Sequence, residues 1–269
     1  MSDWGRHIFR DRPAPRPGDI SLISNDHLAL ARHPEVVGAQ QRALAEWGAG
    51  MMRSGMFVLD DDPQRAFEQD AAELMESPAA LVCQSGWDAN VGPLGVLLDP
   101  EPTGHPVYLD VLAHASLWAG TRGTGAALHP FVHNDIEHLR HLMAQHGPGL
   151  VCVDTLYSTT GDQAPLTDLV EACEEFGCSL VADESHSLGV YGPRGAGLVV
   201  ELGLSDRAAF RTASLAKAFA GRAGLIACTQ RADRGGSRAG HRRLRGTRAA
   251  DPAAAAGATL VPGHGARST

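Results

Sequence analysis

Two rhythms of apolar and polar positions alternate along the middle of the chain. Short apolar runs at Ala79–Cys83, Pro106–Leu109, Ala126–Phe131, Leu150–Asp154, Ser179–Asp183, Ala208–Thr212 and Leu225–Cys228 read as strands. Longer segments with helical spacing lie between them. One follows Gln84-Ser85-Gly86 and runs to about Leu98, and others cover Ala113–Gly120 and Pro165–Phe176. A further one is capped by Asn134 and runs to about His146. Before the first strand, Pro34–Trp47 reads as a helix with proline at an early position and Gly48 at its close, and Pro63–Glu76 reads as a second. Gly55 and the run Asp60-Asp61-Asp62 interrupt the pattern between these two helices. Strands alternating with helices of this length predict an α/β fold with an open, mostly parallel sheet. No period of 20–50 residues recurs.

The pattern divides the chain into three parts. Residues 1–50 give an N-terminal arm, rich in proline and arginine over 1–20, and a helix. Residues 51–228 give the α/β unit, and residues 229–269 a segment of different character. Of those last 41 residues, 25 are alanine, glycine or arginine, and the large aliphatics are Leu244, Leu260 and Val261. Such a segment buries too little surface to offset its ordering entropy and is expected to be disordered.

Charge sharpens this division. The net charge is −8. Residues 229–269 hold eight arginines against Asp233 and Asp251, a net of +6, and the remaining 15 basic and 29 acidic groups leave −14 on residues 1–228. An acidic folded part argues against general nucleic-acid binding. At 43% hydrophobic over 269 residues, the chain can bury one sizeable core. No run of about 18 apolar residues is present to span a membrane, and no leader pattern opens the chain. Cys83, Cys152, Cys173, Cys178 and Cys228 form no C-x-x-C pair and are expected to be reduced in a cytosolic protein.

One residue stands apart. Lys217 is the single lysine, and the other 22 cationic side chains are arginine. Lysine offers a primary amine that loses its proton and forms a Schiff base, which arginine cannot do. Leu215, Ala216, Ala218 and Phe219 make an apolar setting that disfavours the ammonium.

Four further features fall at predicted strand ends, where ligands of open α/β sheets bind. Ser85-Gly86-Trp87 joins a strand to a helix and offers free amides to an anion, or serves as an ordinary turn. Asp183 opens Asp183-Glu184-Ser185-His186-Ser187 and ends an apolar run, where a carboxylate needs a partner. A cationic ring nitrogen at ~4 Å would gain about 4 kcal/mol at an effective dielectric of ~20; a cap or an arginine pair is the alternative. His114 could stack on a flat ring. Ser158, after the fourth strand, could hydrogen-bond a ligand or merely hold its turn. Gly192–Gly197 lacks the strand–turn–helix context of a dinucleotide fingerprint, and His138 and His141 have no partner that would complete a metal site.

Together, an amine, a carboxylate, a flat histidine and a phosphate turn make up the parts of a pyridoxal phosphate site. The ordered segments CQSGWDAN, AHASLW, FVHND, DTLYSTTGDQAPL, VADESHSLGVYGPRGAGLV and TASLAKAFAGRAG resemble the α-oxoamine synthases. These are fold-type I pyridoxal phosphate enzymes that condense an amino acid with an acyl-CoA. The resemblance covers roughly residues 20–228. SLAKAFAGRAG, DESHS, LAHASLWAG and Phe57–Asp62 look most like the quorum-sensing synthases of long-chain α-hydroxyketones or aminoketones.

The resemblance implies the large domain of the fold-type I aminotransferases, a pyridoxal 5'-phosphate cofactor, acyl-CoA and amino acid substrates, and a homodimer. It also implies roles. Lys217 carries the Schiff base and moves the α-proton. Asp183 pairs with the ring nitrogen, His186 meets the phenolic oxygen, and His114 stacks on the ring. Ser85, Gly86, Trp87 and Ser214 hold the phosphate end, and Ser158 lies beside the cofactor. The family pattern continues into more sheet and a small C-terminal domain, whereas here it gives way at Cys228. The expectation is therefore a truncated large domain, with a disrupted reading frame near residue 229 or a natural truncation. Such a chain is expected to fold poorly or bind cofactor weakly, and to turn over little or nothing. A catalytically inactive remnant, an interaction protein and an oxoamine synthase for another substrate pair remain the alternatives.

Overall fold

The computed structural model describes residues 16, 18, 24–48, 58–59, 62–98 and 104–228. The tail expected over 229–269 lies outside the described residues, as do nearly all of the lead-in over 1–20 and half of the stretch 57–62.

The elements run α1 (Pro34–Trp47), α2 (Pro63–Leu74), β1 (Ala79–Cys83), α3 (Gly86–Leu97), β2 (Val107–Asp110), α4 (Ala115–Thr124), β3 (Leu128–Phe131), α5 (Ile136–His146), β4 (Leu150–Asp154), α6 (Leu166–Phe176), β5 (Ser179–Asp183), α7 (Leu198–Glu201), β6 (Phe210–Ser214) and β7 (Gly224–Cys228). The seven strands form one sheet in the order β1-β7-β6-β5-β4-β2-β3. Strands β2 to β6 pair in parallel, and β7 runs antiparallel to both β1 and β6. The expected mostly parallel α/β sheet is thus present, with one reversed strand.

The central strands show why both faces of the sheet are covered. Along β4, Val151 and Val153 pack with Leu139, Met143 and Leu169 on one side, while Cys152 packs with Leu94 and Leu117 on the other. In β5, Leu180 and Ala182 join the first cluster and Val181 the second. Alternate residues of a strand point to opposite faces, so a continuous apolar run demands helices on both. Gly120 of α4 lets α3 approach closely: a β-carbon there would sit 2.8 Å from Leu94 Cδ1 and 3.2 Å from Val91 Cα.

Several boundaries differ from the sequence reading. Asp135, not Asn134, caps α5, its carboxylate accepting from His138 N at 2.9 Å. Asn134 instead adopts φ +56° and turns the chain. The helix placed at Ala113 begins at Ala115 because His114 caps it, and it ends at Gly125 in the left-handed region. Strand β6 begins at Phe210, two residues later than expected, after Ala208 and Ala209.

Candidate active site

Every parallel strand delivers its C-terminal end to one edge of the sheet, and β7 starts from that same edge. Gln84–Trp87 follows β1, His114 follows β2, Asp154 ends β4, Asp183 ends β5, and Ser214, Ala216 and Lys217 lie at the close of β6. These residues, with Asn90, Ser185, His186, Arg222 and Ala223, line a cleft of about 310 Å³.

Lys217 projects from the turn between β6 and β7. Hydrogen bonds from Gly221 N to Leu215 O and from Leu215 N to Ala223 O, each 2.9 Å, tighten that turn. Burial lowers the ammonium's pKa below the ordinary lysine range, against the opposing attraction of Asp183 and Asp154. Lys217 therefore yields a free amine at lower pH than an exposed lysine.

Asp183 accepts a hydrogen bond on each carboxylate oxygen. Asn90 Nδ2 donates to its Oδ2 at 2.6 Å, and Ser185 N donates to its Oδ1 at 2.8 Å. Asn90 is itself placed by Thr212, whose hydroxyl donates to Asn90 Oδ1 at 2.5 Å, and by Ser116 Oγ at 2.8 Å. Ser116 Oγ in turn meets His114 Nδ1 at 2.6 Å. The network ties the carboxylate at one wall of the cleft to the imidazole at another. Trp87 lies edge-on to His114, with ring centroids 6.2 Å apart. His186 is lowered to about 4 by burial and by the Lys217 charge, so its ring is neutral near pH 7, and its Nδ1 lies 3.3 Å from His27 Nε2.

At the start of α3, Ser85 Oγ accepts from Asp88 N at 3.1 Å, and Ser85, Gly86 and Trp87 line the cleft. Ser214 packs directly against Gly86. A β-carbon on Gly86 would overlap Ser214 Cβ and lie 2.9 Å from both Ser214 Cα and Oγ. The close approach of a bare backbone to a hydroxyl beside a helix start suits a phosphate. With an amine, a fixed carboxylate and two flat side chains in the same cleft, the residues fit pyridoxal phosphate.

Of the nine expected site residues, eight line the cleft; Ser158 does not. It is exposed in a turn that closes on itself through Tyr157 N to Asp162 O and Gly161 N to Tyr157 O, both 2.9 Å. His133 clasps that turn from outside, with Nδ1 at 3.0 Å from Asp110 and Nε2 at 3.0 Å from Asp162. Ser158 is thus not among the residues that line the cleft.

Sequence reasoning passed over Asn90, Asp154, Ser185 and Arg222. Asp154 carried a readable signal, since it ends an apolar run just as Asp183 does. Asn90 carried a weaker one, as an amide one turn into an apolar helix. Glu184 was also left without a role. It is fully buried and paired with the equally buried Arg211 of β6, Nε to Oε2 at 2.7 Å. Arg211 also donates to Met75 O and to Ala196 O, so the pair fastens the end of α2 and the turn after His186 behind Asp183.

Comparison with known proteins is consistent with this geometry. The aminotransferase class I and II family matches residues 17–260, running past Cys228, where the motif resemblance was placed to end. A CAI-1 autoinducer synthase from Vibrio campbellii is 46% identical over 212 residues, covering 79% of this chain and 53% of the relative. An 8-amino-7-oxononanoate synthase from Mycolicibacterium smegmatis is 35% identical over 224 residues, covering 82% of this chain and 58% of the relative. A serine palmitoyltransferase from S. paucimobilis, solved with a bound PLP–myriocin aldimine, superposes with a TM-score of 0.70 at 27% identity over 77% of this chain and 52% of its own. The chain spans about half the length of the relatives it matches. With the sheet order, the cleft at its C-terminal edge and a match across most of its length in agreement, the chain belongs to the aminotransferase class I and II family.

Proposed function

We propose that this chain binds pyridoxal phosphate through Lys217 and serves the condensation of an amino acid with an acyl-CoA, with a long-chain aminoketone of the autoinducer type as product. The observation that carries the reading is that the single lysine, Asp183 and the close approach of Gly86 to Ser214 share one cleft.

When bound, pyridoxal phosphate supplies an electron sink for charge developing at an amino acid's α-carbon. The residues divide the remaining work. The start of α3, with Ser85, Gly86 and Ser214, holds the phosphate. His114 and Trp87 flank the flat ring. Asp183, positioned by hydrogen bonds from Asn90 and Ser185, would hold the proton on the ring nitrogen. His186, neutral near pH 7, offers an uncharged hydrogen bond to the phenolic oxygen. Lys217 would take and return the α-proton, a role suited to an amine whose pKa is lowered by burial.

A homodimer belongs to this reading. None of the residues of α1 is buried, and the helix exposes Leu44 and Trp47, an apolar pair suited to a second copy. The central test is borohydride reduction of the chain mixed with pyridoxal phosphate. A cofactor-sized mass fixed on the peptide containing Lys217, and absent from Lys217→Arg, is expected. Cofactor mass on another peptide, or none, overturns the reading. Turnover of acyl-CoAs of graded length then tests the autoinducer-type product.

A further inference from the structure

Asp154 and Asp183 face one another across adjacent parallel strands, as direct partners in the register of β4 and β5. Both carboxyls are buried and both line the cleft. Two carboxylates so placed do not both ionise readily, because each adds its charge to the other's desolvation. The hydrogen bonds decide which of them keeps the proton. Asp183 has a donor on each oxygen, from Asn90 and from Ser185 N. Asp154 receives a single backbone donor, His114 N to Oδ1 at 3.0 Å.

We propose that Asp154 is the proton-bearing member of a carboxyl pair with Asp183, and that it releases its proton to solvent when the cationic ring of the cofactor enters the cleft. The inference rests on the cofactor reading above and adds a residue and a proton to it.

The charged groups around Asp154 agree. Burial and then Asp183 push its pKa up, Asp110 at the end of β2 adds to this, and the His114 amide and Lys217 oppose it; the balance raises Asp154 to about 8. His186 nearby is neutral at pH 7 and adds no charge. That balance favours the protonated form of Asp154 near pH 7. A pyridinium brought against Asp183 offsets the charge that keeps Asp154 neutral. The Asp154 O–H bond then breaks, its electron pair stays on the carboxylate, and the proton passes to water and buffer. Nothing is oxidised or reduced. A group protonated in the free cleft and ionised in the filled one makes binding tighten as pH rises toward its free pKa.

The test counts protons rather than turnover. Pyridoxine 5′-phosphate has the ring and phosphate but no aldehyde, and its ring nitrogen is already protonated near pH 7. Calorimetric titration at pH 7 in two buffers of different ionisation heat gives the protons exchanged per ligand. The parent chain should release about 0.5–1 proton more than Asp154→Asn, which keeps the acceptor for His114 N. Equal counts overturn the proposal while leaving the cofactor reading intact, and no binding by the parent chain overturns both. Should Asp154→Asn fail to fold, infrared difference spectra of the parent chain decide the matter. Loss of a protonated-carboxyl band on adding the ligand supports the proposal, and an unchanged band overturns it.

Discussion

Gly86→Ala isolates the contribution of the cradle at the phosphate end. Gly86 opens α3 without a left-handed φ, so alanine meets no backbone penalty and any cost must come from packing. The added β-carbon would lie 2.9 Å from Ser214 Cα, where carbon atoms rest at about 3.5–4.0 Å. Relief requires the helix start and the end of β6 to part by roughly 1 Å, at a cost of about 1–3 kcal/mol for overpacking. The same movement withdraws amide donors from the phosphate. Each charge-assisted hydrogen bond is worth about 1.5–3 kcal/mol, so losing one weakens cofactor binding roughly 10- to 100-fold. Gly95, on the same helix, has open space where its β-carbon would go. Gly95→Ala should therefore bind as the parent does and gain about 0.5–1 kcal/mol in helix stability. Equilibrium urea unfolding and an absorbance titration with pyridoxal phosphate measure the two effects. Ser214→Gly placed on Gly86→Ala removes the overlapping Cβ and should restore part of the stability without the affinity. The reasoning fails if Gly86→Ala binds with parent affinity, or if Gly95→Ala weakens binding as much.

Two further outcomes follow from charged groups behind the cleft. Arg211→Met leaves Glu184 buried and unpaired and should cost about 3–5 kcal/mol in urea unfolding. Arg211→Met with Glu184→Gln should cost less, and an equal or larger cost would contradict a charge origin. Burial lowers the pKa of His133, but hydrogen bonds to Asp110 and Asp162 outweigh it, and the folded-state value is raised. Its stabilising contribution is therefore complete below the ordinary histidine value and fades as pH climbs from there through the raised one. Melting curves across that range should show a decline that His133→Ala lacks, and a parallel decline in both would refute it.

The strand ends show how far local pattern reaches. Asp183 was legible because a carboxylate closing an apolar run demands a partner, and Lys217 because it is the chain's single lysine. The same rule, applied to Asp154, would have found it. Asn90 was harder, since its meaning lies in Asp183, 93 residues further on. Ser158 left two readings open in the sequence, a ligand contact or a turn, and the fold places it exposed in a turn closed by its own backbone hydrogen bonds. Arg211 reads as one more arginine until the fold buries it against Glu184.

The amino-acid sequence by itself determined the alternation of strands and helices, the apolar faces that drive them into layers, and the amine that chemistry requires. These depend on neighbours within a turn or a strand, where spacing is enough. Tertiary structure alone decided the reversed strand that brings Arg222 and Ala223 to the cleft, the pairing of Asp154 with Asp183, and the close approach of Gly86 to Ser214. Each of these joins residues far apart in the chain, and their energy depends on distance and burial, which are set only when the sheet closes its register.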